Sequence, residues 1–185
     1  MNRPMLVLTA LAAVLLLPAV AAAKGPSGAS VSGGGLEKAI VITGNGETDR
    51  TPLGRMTVEA GFFPAAFGQS PDPMLHARPN GNLGPKMTIR YVVPGGDGET
   101  FHITQAVYPY AEGGAVTYMK PNQPIFGMAT IGGWYRAYGL KRTLVAQGLP
   151  ASAGESSSGM NLALLAIPGA LVLAGTALFF GRRKR

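Results

Sequence analysis

The sequence predicts an α+β fold in which a small antiparallel sheet of about four strands carries two helices. Short apolar runs with strict alternation predict strands, and two segments with apolar residues three or four positions apart predict helices. Apolar stretches without charge near both ends of the 185-residue chain predict an N-terminal signal peptide and one C-terminal transmembrane helix. The chain is therefore expected to hold one domain together with targeting segments.

Residues 1–23 have the three parts of a secretory signal peptide. Arg3 precedes an apolar stretch from Met5 to Leu17, which is followed by a proline and a run of small residues. We expect a signal peptidase to cleave after residue 23, at a site formed by Ala21, Ala23 and Lys24. The alternative is an uncleaved membrane helix, but this apolar stretch spans about 20 Å as a helix, whereas a hydrocarbon core needs about 30 Å.

The first half of the middle region predicts a tether, a strand and a helix. Residues 24–35 are rich in Gly and Ser with almost nothing to bury, which predicts a flexible tether before a domain at 36–148. Residues 36–43 predict a first strand, central in the sheet. Residues 53–63 have apolar side chains at helical intervals before Pro64, which predicts a short helix packed on the sheet.

The second half predicts a loop, three strands and a helix. Residues 70–85 are rich in Pro and Asn and predict a long exposed loop. Residues 86–93 and 100–108 alternate and are joined by a Gly-rich hairpin turn, and residues 115–119 predict a further strand. A final helix is predicted from residue 134 to 147, with a buried stripe formed by Trp134, Ala137, Leu140, Leu144 and Val145.

The C-terminal region predicts a membrane anchor. Residues 149–160 form a linker, and residues 161–181 contain no charged side chain and reach about 30 Å as a helix, which is enough to span a bilayer. The basic cluster that follows is expected to stay in the cytoplasm and stop the chain in the membrane. It consists of Arg182, Arg183, Lys184 and Arg185. The domain is therefore expected to be extracellular on a single-pass protein of the cell membrane.

The segment that precedes this anchor has two interpretations. The motif Leu149-Pro150-Ala151-Ser152-Ala153, followed by a spacer, an apolar run and a basic tail, resembles a Gram-positive sortase signal. In such signals a sortase cleaves a Leu-Pro-x-Thr-Gly motif and joins it to the cell wall, whereas this chain has Ser152 and Ala153 at the last two positions. The resemblance implies cell-wall attachment as the alternative to membrane anchoring. The same residues also suit a helix end, with Gly148 at C′ and Leu149 making the C″ contact.

Three stretches of the middle region resemble a group of uncharacterised exported, membrane-anchored proteins of actinobacteria. They are Leu83-Gly84-Pro85-Lys86-Met87-Thr88, Tyr108-Pro109-Tyr110-Ala111 and Gly132-Gly133-Trp134-Tyr135-Arg136. The resemblance implies the same topology, and no activity, cofactor or catalytic residue comes with it.

Charge and composition exclude several classes of function. The net charge of +7 is concentrated beside the apolar ends, because residues 24–148 contain eleven Lys or Arg against eight Asp or Glu. We therefore expect no nucleic-acid partner. The chain has no Cys, which excludes disulfides, a thiolate nucleophile and a lipid-modified Cys anchor.

The sequence predicts no metal site, no cofactor and no catalytic residue. His76 and His102 are the only histidines, and they have no motif that would bind zinc. Asp97 and Glu99 suit a hairpin turn better than a calcium loop. The Ser-rich segments are far in sequence from both histidines, so no nucleophilic triad is expected.

One group of residues combines aromatic rings with cations, which suits sugar rings, anionic wall polymers or lipid headgroups. It consists of Trp134, Tyr135, Arg136, Tyr138, Lys141 and Arg142. The alternative is that Trp134 packs in the core and the cations are solvated. The sequence thus favours a non-enzymatic surface module that binds an envelope component or a partner protein. The alternatives are a wall-acting hydrolase that uses Glu59 or Glu112, and an accessory subunit of a membrane complex.

Overall fold

A computed structural model of the chain describes residues 24–154, and it has an α+β fold. The strands are β1 (Gly28–Gly33), β2 (Ile40–Thr43), β3 (Met87–Pro94), β4 (Thr100–Tyr108), β5 (Val116–Met119), β6 (Pro124–Ile125), β7 (Met128–Ala129) and β8 (Gly133–Arg136). The helices are α1 (Pro52–Glu59), α2 (Phe62–Phe67) and α3 (Leu140–Ala146). The predicted signal peptide (1–23), transmembrane helix (161–181) and basic tail (182–185) lie outside the described residues, as does the linker beyond residue 154.

Six strands form one antiparallel sheet in the order β2-β1-β3-β4-β5-β8, and β6 pairs separately with β7. The α+β class and the antiparallel pairing are confirmed, but the sheet is larger than the four strands predicted, and three helices replace the expected two. Within the described part of the chain, no helix has both the length and the apolar character that crossing a bilayer requires.

The predicted tether is wrong, because residues 28–33 form β1 in the interior of the sheet. Strand β1 pairs with β2 on one side and β3 on the other, with Val31 opposite both Ile40 and Ile89. Ala29 and Val31 alternate with serines and point into the core. So short an alternating segment can form a strand here, because the neighbouring strands provide hydrogen-bond partners for its backbone on both sides. Strand β2, predicted as central, is consequently the edge strand.

The strands predicted at 86–93 and 100–108 are confirmed as β3 and β4. They are joined by a hairpin turn in which Gly95 N–H donates to the Glu99 carbonyl over 2.8 Å. Met87, Ile89, Tyr91 and Val93 all point into the core, as their alternation predicts. Residues 70–85 contain no strand or helix, which agrees with the predicted loop, although Leu83 is buried.

The segment predicted as one helix at 53–63 belongs to two separate helices. Helix α1 begins at Pro52 after Thr51, whose side chain accepts a hydrogen bond from Gly54 N–H over 3.0 Å. Gly61 has a φ of 68°, which ends α1 and turns the chain into α2. A Cβ at Gly61 would overlap the ring of Tyr135, so only glycine fits this turn.

The predicted helix at 134–147 is also wrong in its first part. Residues Gly133–Arg136 form β8, which pairs with the otherwise unpaired edge of β5, and only Leu140–Ala146 form α3. The helix cannot begin earlier because Gly139 has a φ of 87°. Ala137, Leu140 and Leu144 are buried as the predicted stripe requires, but Trp134 lies on another face.

The helices pack on one face of the sheet, and a buried hydrogen-bond network joins them to it. Gln105 Nε2 and Thr117 Oγ1 both donate to the carbonyl oxygen of Ala60, over 2.9 and 2.8 Å. The Tyr91 hydroxyl donates to Gln105 Oε1 over 3.0 Å. Burial raises the pKa of the Tyr91 hydroxyl above its ordinary value, so it remains a donor. Three adjacent strands are thereby joined to the C-cap residue of α1.

We expect Gln105→Leu to lower the free energy of unfolding by about 1–3 kcal/mol, because it leaves the buried Tyr91 hydroxyl without its acceptor. Adding Tyr91→Phe should recover part of this loss, since the second change removes the unpaired group. Urea denaturation of the two single variants and the double variant measures the effect. Additive losses in the double variant would contradict the network.

Candidate functional site

The six aromatic and basic residues predicted as one group are divided among three places. Trp134 and Arg136 lie on the outer face, which is the sheet face opposite the helices, because their partners across β5 are Tyr118 and Val116. Tyr135 points to the helix side and packs against Gly61. The remaining three, Tyr138, Lys141 and Arg142, line a cleft beyond the end of β8.

Trp134 has a packing role on the outer face. Its ring lies 4.8 Å from that of Tyr118 and 5.9 Å from that of Tyr108, measured between ring centroids. Together with Tyr108 it packs against a small cluster of Leu83, Ala111 and Val116. Its carbonyl oxygen accepts a hydrogen bond from Leu75 N–H over 2.8 Å. Trp134 thus holds the loop at residues 70–85 against the sheet.

One candidate site is an open cleft of about 800 Å³, which we name the terminal cleft because the described chain ends beside it. It lies where β4 and β8 end and β5 begins. Its walls are the β4–β5 connection, the β8–α3 junction, and the segment after α3. The lining residues are Pro109, Tyr110, Ala111, Gly114, Ala115, Ala137, Tyr138, Gly139, Lys141, Arg142, Val145, Ala151, Ser152 and Ala153.

Hydrogen bonds to backbone carbonyl oxygens hold the first wall, the β4–β5 connection, in place. Arg136 Nη1 donates to the carbonyl oxygens of Gly113 and Gly114, each over 3.3 Å. Ala137 N–H donates to the Ala115 carbonyl over 2.9 Å. Arg136 therefore positions the wall of the cleft from outside it.

The charged side chains that line the cleft are cations. Lys141 Nζ lies 5.1 Å from the ring centroid of Tyr110, a cation–π distance. Arg142 is exposed beside it, and Tyr138 is 78% exposed. Among residues 24–154, no carboxylate lines the cleft, and the other lining side chains are mostly small and apolar. The cleft can therefore attract an anion and also contact an apolar group.

The segment after α3 forms the third wall, and the helix end has the geometry of a Schellman motif. Leu149 N–H donates to the Leu144 carbonyl and Gly148 N–H to the Val145 carbonyl, both over 3.0 Å. Leu149 is 3% exposed and packs in the core. The Tyr110 hydroxyl donates to the Pro150 carbonyl over 2.7 Å. The domain consequently continues to Pro150, past the predicted boundary at 148.

These contacts give the predicted sorting motif a structural role. Leu149 and Pro150 are held by the domain, whereas Ala151, Ser152 and Ala153 are exposed and line the cleft. A sortase would need Leu149 to leave the core before it could read the motif. The helix-capping interpretation is thus present in the structure, and recognition by a sortase stays a prediction.

The two carboxylates of the hydrolase alternative have separate surroundings. The Glu59 carboxylate lies against Gly139, and its Oε2 atom is buried without a hydrogen-bond partner among the described residues. Glu112 is exposed and exchanges hydrogen bonds with Asn82, through its backbone N–H and its Oε2 atom. Neither carboxylate lines the terminal cleft.

His76 and His102 are both exposed. In residues 24–154, three or more His, Asp or Glu side chains do not come together as metal ligands would. Asp97 and Glu99 belong to the hairpin turn, where Asp97 has a φ of 51°.

Sequence reasoning missed Tyr110 and Gly139 as parts of the site. Both belong to connections, whose positions depend on how the strands pair. The Tyr108-Pro109-Tyr110-Ala111 stretch was a signal for the first wall, because it ends β4 with a proline followed by an aromatic residue.

Comparison of the chain with protein-family models, with curated proteins and with solved structures gives no match.

We expect Leu149→Ala to lower the free energy of unfolding by about 2–4 kcal/mol, because it creates a cavity in the core. Tyr110→Phe should cost about 1 kcal/mol, through loss of the hydrogen bond to Pro150. Val41→Ala is the control, since Val41 is 70% exposed on the edge strand. Denaturant unfolding measures all three, and a Leu149→Ala loss as small as the control would show that the segment is not part of the core.

Proposed function

We propose that the protein is a non-enzymatic binding module, held outside the cytoplasm by a single C-terminal membrane anchor, that binds an anionic envelope component in the terminal cleft. The observation that carries this proposal is the cleft's composition: its lining has two cations and two tyrosines, and no carboxylate from the described part of the chain. Glycoside hydrolysis needs paired carboxyls, and the described lining of the cleft has none. A cationic and apolar cleft suits retention of a ligand instead.

The extent of the folded domain supports the proposed topology. Strand β1 begins at Gly28, and Gly25 and Pro26 are already buried, so the domain starts directly after the predicted cleavage site. At the other end, the last core residue is Leu149. Both predicted targeting segments therefore lie beyond the packed residues, and cleavage after Ala23 would leave the sheet intact.

The position of the cleft supports an envelope ligand. Its third wall, residues 151–153, leads towards the proposed anchor, so the cleft lies on the side of the domain where the chain departs. Anionic wall polymers and anionic lipids are concentrated in that region of a Gram-positive envelope, and cations attract both. Wall attachment by a sortase is the alternative way of holding the domain there.

For the topology, we expect the protein in the membrane fraction, released by detergent and retained after the wall is digested. N-terminal sequencing should begin at Lys24. Release by wall digestion alone would favour the sortase alternative, and intact full-length protein in the cytosol would contradict export altogether. Fractionation with immunoblotting distinguishes the three results.

For the cleft, we expect the immobilised full chain in detergent to retain phosphate-rich material from an envelope extract. The double variant Lys141→Gln/Arg142→Gln should retain several-fold less, because it removes both lining cations. The matched control Arg55→Gln/Lys120→Gln removes the same charge from exposed positions outside the cleft. A phosphate assay of the eluate gives the readout, and equal retention by both double variants would overturn the assignment of the cleft.

A further inference from the structure

We propose that the terminal cleft binds the phosphate headgroup of an anionic lipid in the membrane that holds the chain, so that the domain docks on the bilayer with the cleft facing it. This inference rests on the proposed function, because it requires the C-terminal anchor. It adds the identity of the ligand and an orientation of the domain.

The two cations of the cleft lie at the start of a helix. Lys141 and Arg142 occupy the first turn of α3, where the helix dipole disfavours positive side chains. The first turn contains no acidic residue that would compensate them. The Glu59 carboxylate lies against Gly139 at this helix start, and both cations also line the cleft, where they can contact a bound anion.

The cleft also holds one of these cations in place. Lys141 Nζ lies over the Tyr110 ring, and the Tyr110 hydroxyl is fixed by its hydrogen bond to Pro150. A lysine held in this way loses less side-chain freedom when it binds a phosphate. The cleft volume of about 800 Å³ is within the range of small-molecule sites and accommodates a headgroup with its glycerol.

The apolar part of the lining suits a lipid better than a free polymer. The exposed ring of Tyr138 lies at the cleft, and aromatic side chains of this kind are enriched at the level of lipid headgroups. Pro109, Ala111 and Val145 offer apolar contacts beside the cations. A wall polymer would use the cations and leave this apolar surface in water.

The length of the connection limits how the domain can turn. Seven residue steps separate Gly154 from the start of the predicted span at residue 161, which is at most about 25 Å. A compact domain of about 130 residues is roughly 36 Å across. Since the connection is shorter than the domain is wide, the side that holds residues 151–154 cannot face directly away from the bilayer, and the cleft is on that side.

The test uses the full chain in nanodiscs and follows the rotation of the domain. The chain has no Cys, so Gly96→Cys provides a single labelling site in the β3–β4 turn, at the end of β3 away from the cleft and with open space at its Cβ. Time-resolved fluorescence anisotropy is compared in nanodiscs of phosphatidylcholine and of phosphatidylcholine with phosphatidylglycerol. We expect higher residual anisotropy with the anionic lipid, and its loss at about 0.5 M salt.

The variants assign the effect to the cleft. One cation near an anionic surface changes binding by about fivefold, so Lys141→Gln/Arg142→Gln should lower the ratio of docked to free domain by about 25-fold. The control Arg55→Gln/Lys120→Gln should leave that ratio within about twofold of the unmodified chain, and the basic tail is the same in all variants.

Equal anisotropy in the two lipid compositions, or equal loss in the two double variants, would overturn lipid binding. If envelope phosphate retention still depended on Lys141 and Arg142 in that case, the proposed function would stand with a wall polymer as the ligand. If retention lost this dependence as well, both proposals would fail.

Discussion

The carbonyl oxygen of Ala60 is the point at which the sheet and the helices are joined. Ala60 is the C-cap residue of α1, so no N–H of that helix follows to donate to its carbonyl oxygen. This oxygen instead accepts hydrogen bonds from Gln105 and Thr117 on two neighbouring strands. A buried carbonyl without partners would be costly, so the two donors fix where α1 ends and how it lies on the sheet. Gly61 follows directly, and its missing side chain lets the ring of Tyr135 pack against the chain.

The terminal cleft depends on the same corner of the fold. Glu59 precedes Ala60, and its carboxylate lies against Gly139, at the start of α3. The position of α3 then decides where Lys141 and Arg142 stand. At the other end of this helix the capping motif places Leu149 in the core and brings Pro150 to the Tyr110 hydroxyl. The cleft is thus made of connections together with one side of α3, and hydrogen bonds to a strand or a helix end hold the connections in place.

This arrangement links the binding proposal to the proposed topology. A cationic cleft on an arbitrary side of a domain would suggest only that anions are attracted. Here the described chain ends at one wall of the cleft, and in the proposed topology the connection to the anchor is shorter than the domain is wide. In the proposed topology, position and charge therefore act together, because a short connection keeps the cations within reach of the surface to which they are complementary.

The sequence by itself determined the α+β class, the hairpin of β3 and β4, and the inward face of Met87, Ile89, Tyr91 and Val93, because alternation over eight residues is a local property of the chain. It also identified Tyr138, Lys141 and Arg142 as candidates, since their types and spacing are local. Only the tertiary structure decided that Gly28–Gly33 is an interior strand and that Gly133–Arg136 is a strand rather than a helix. Both segments are short, so their own preferences decide little, and they became strands because a neighbouring strand offered unpaired hydrogen-bonding groups. The separation of Trp134 and Tyr135 from the cleft followed from that pairing, which no local pattern contains.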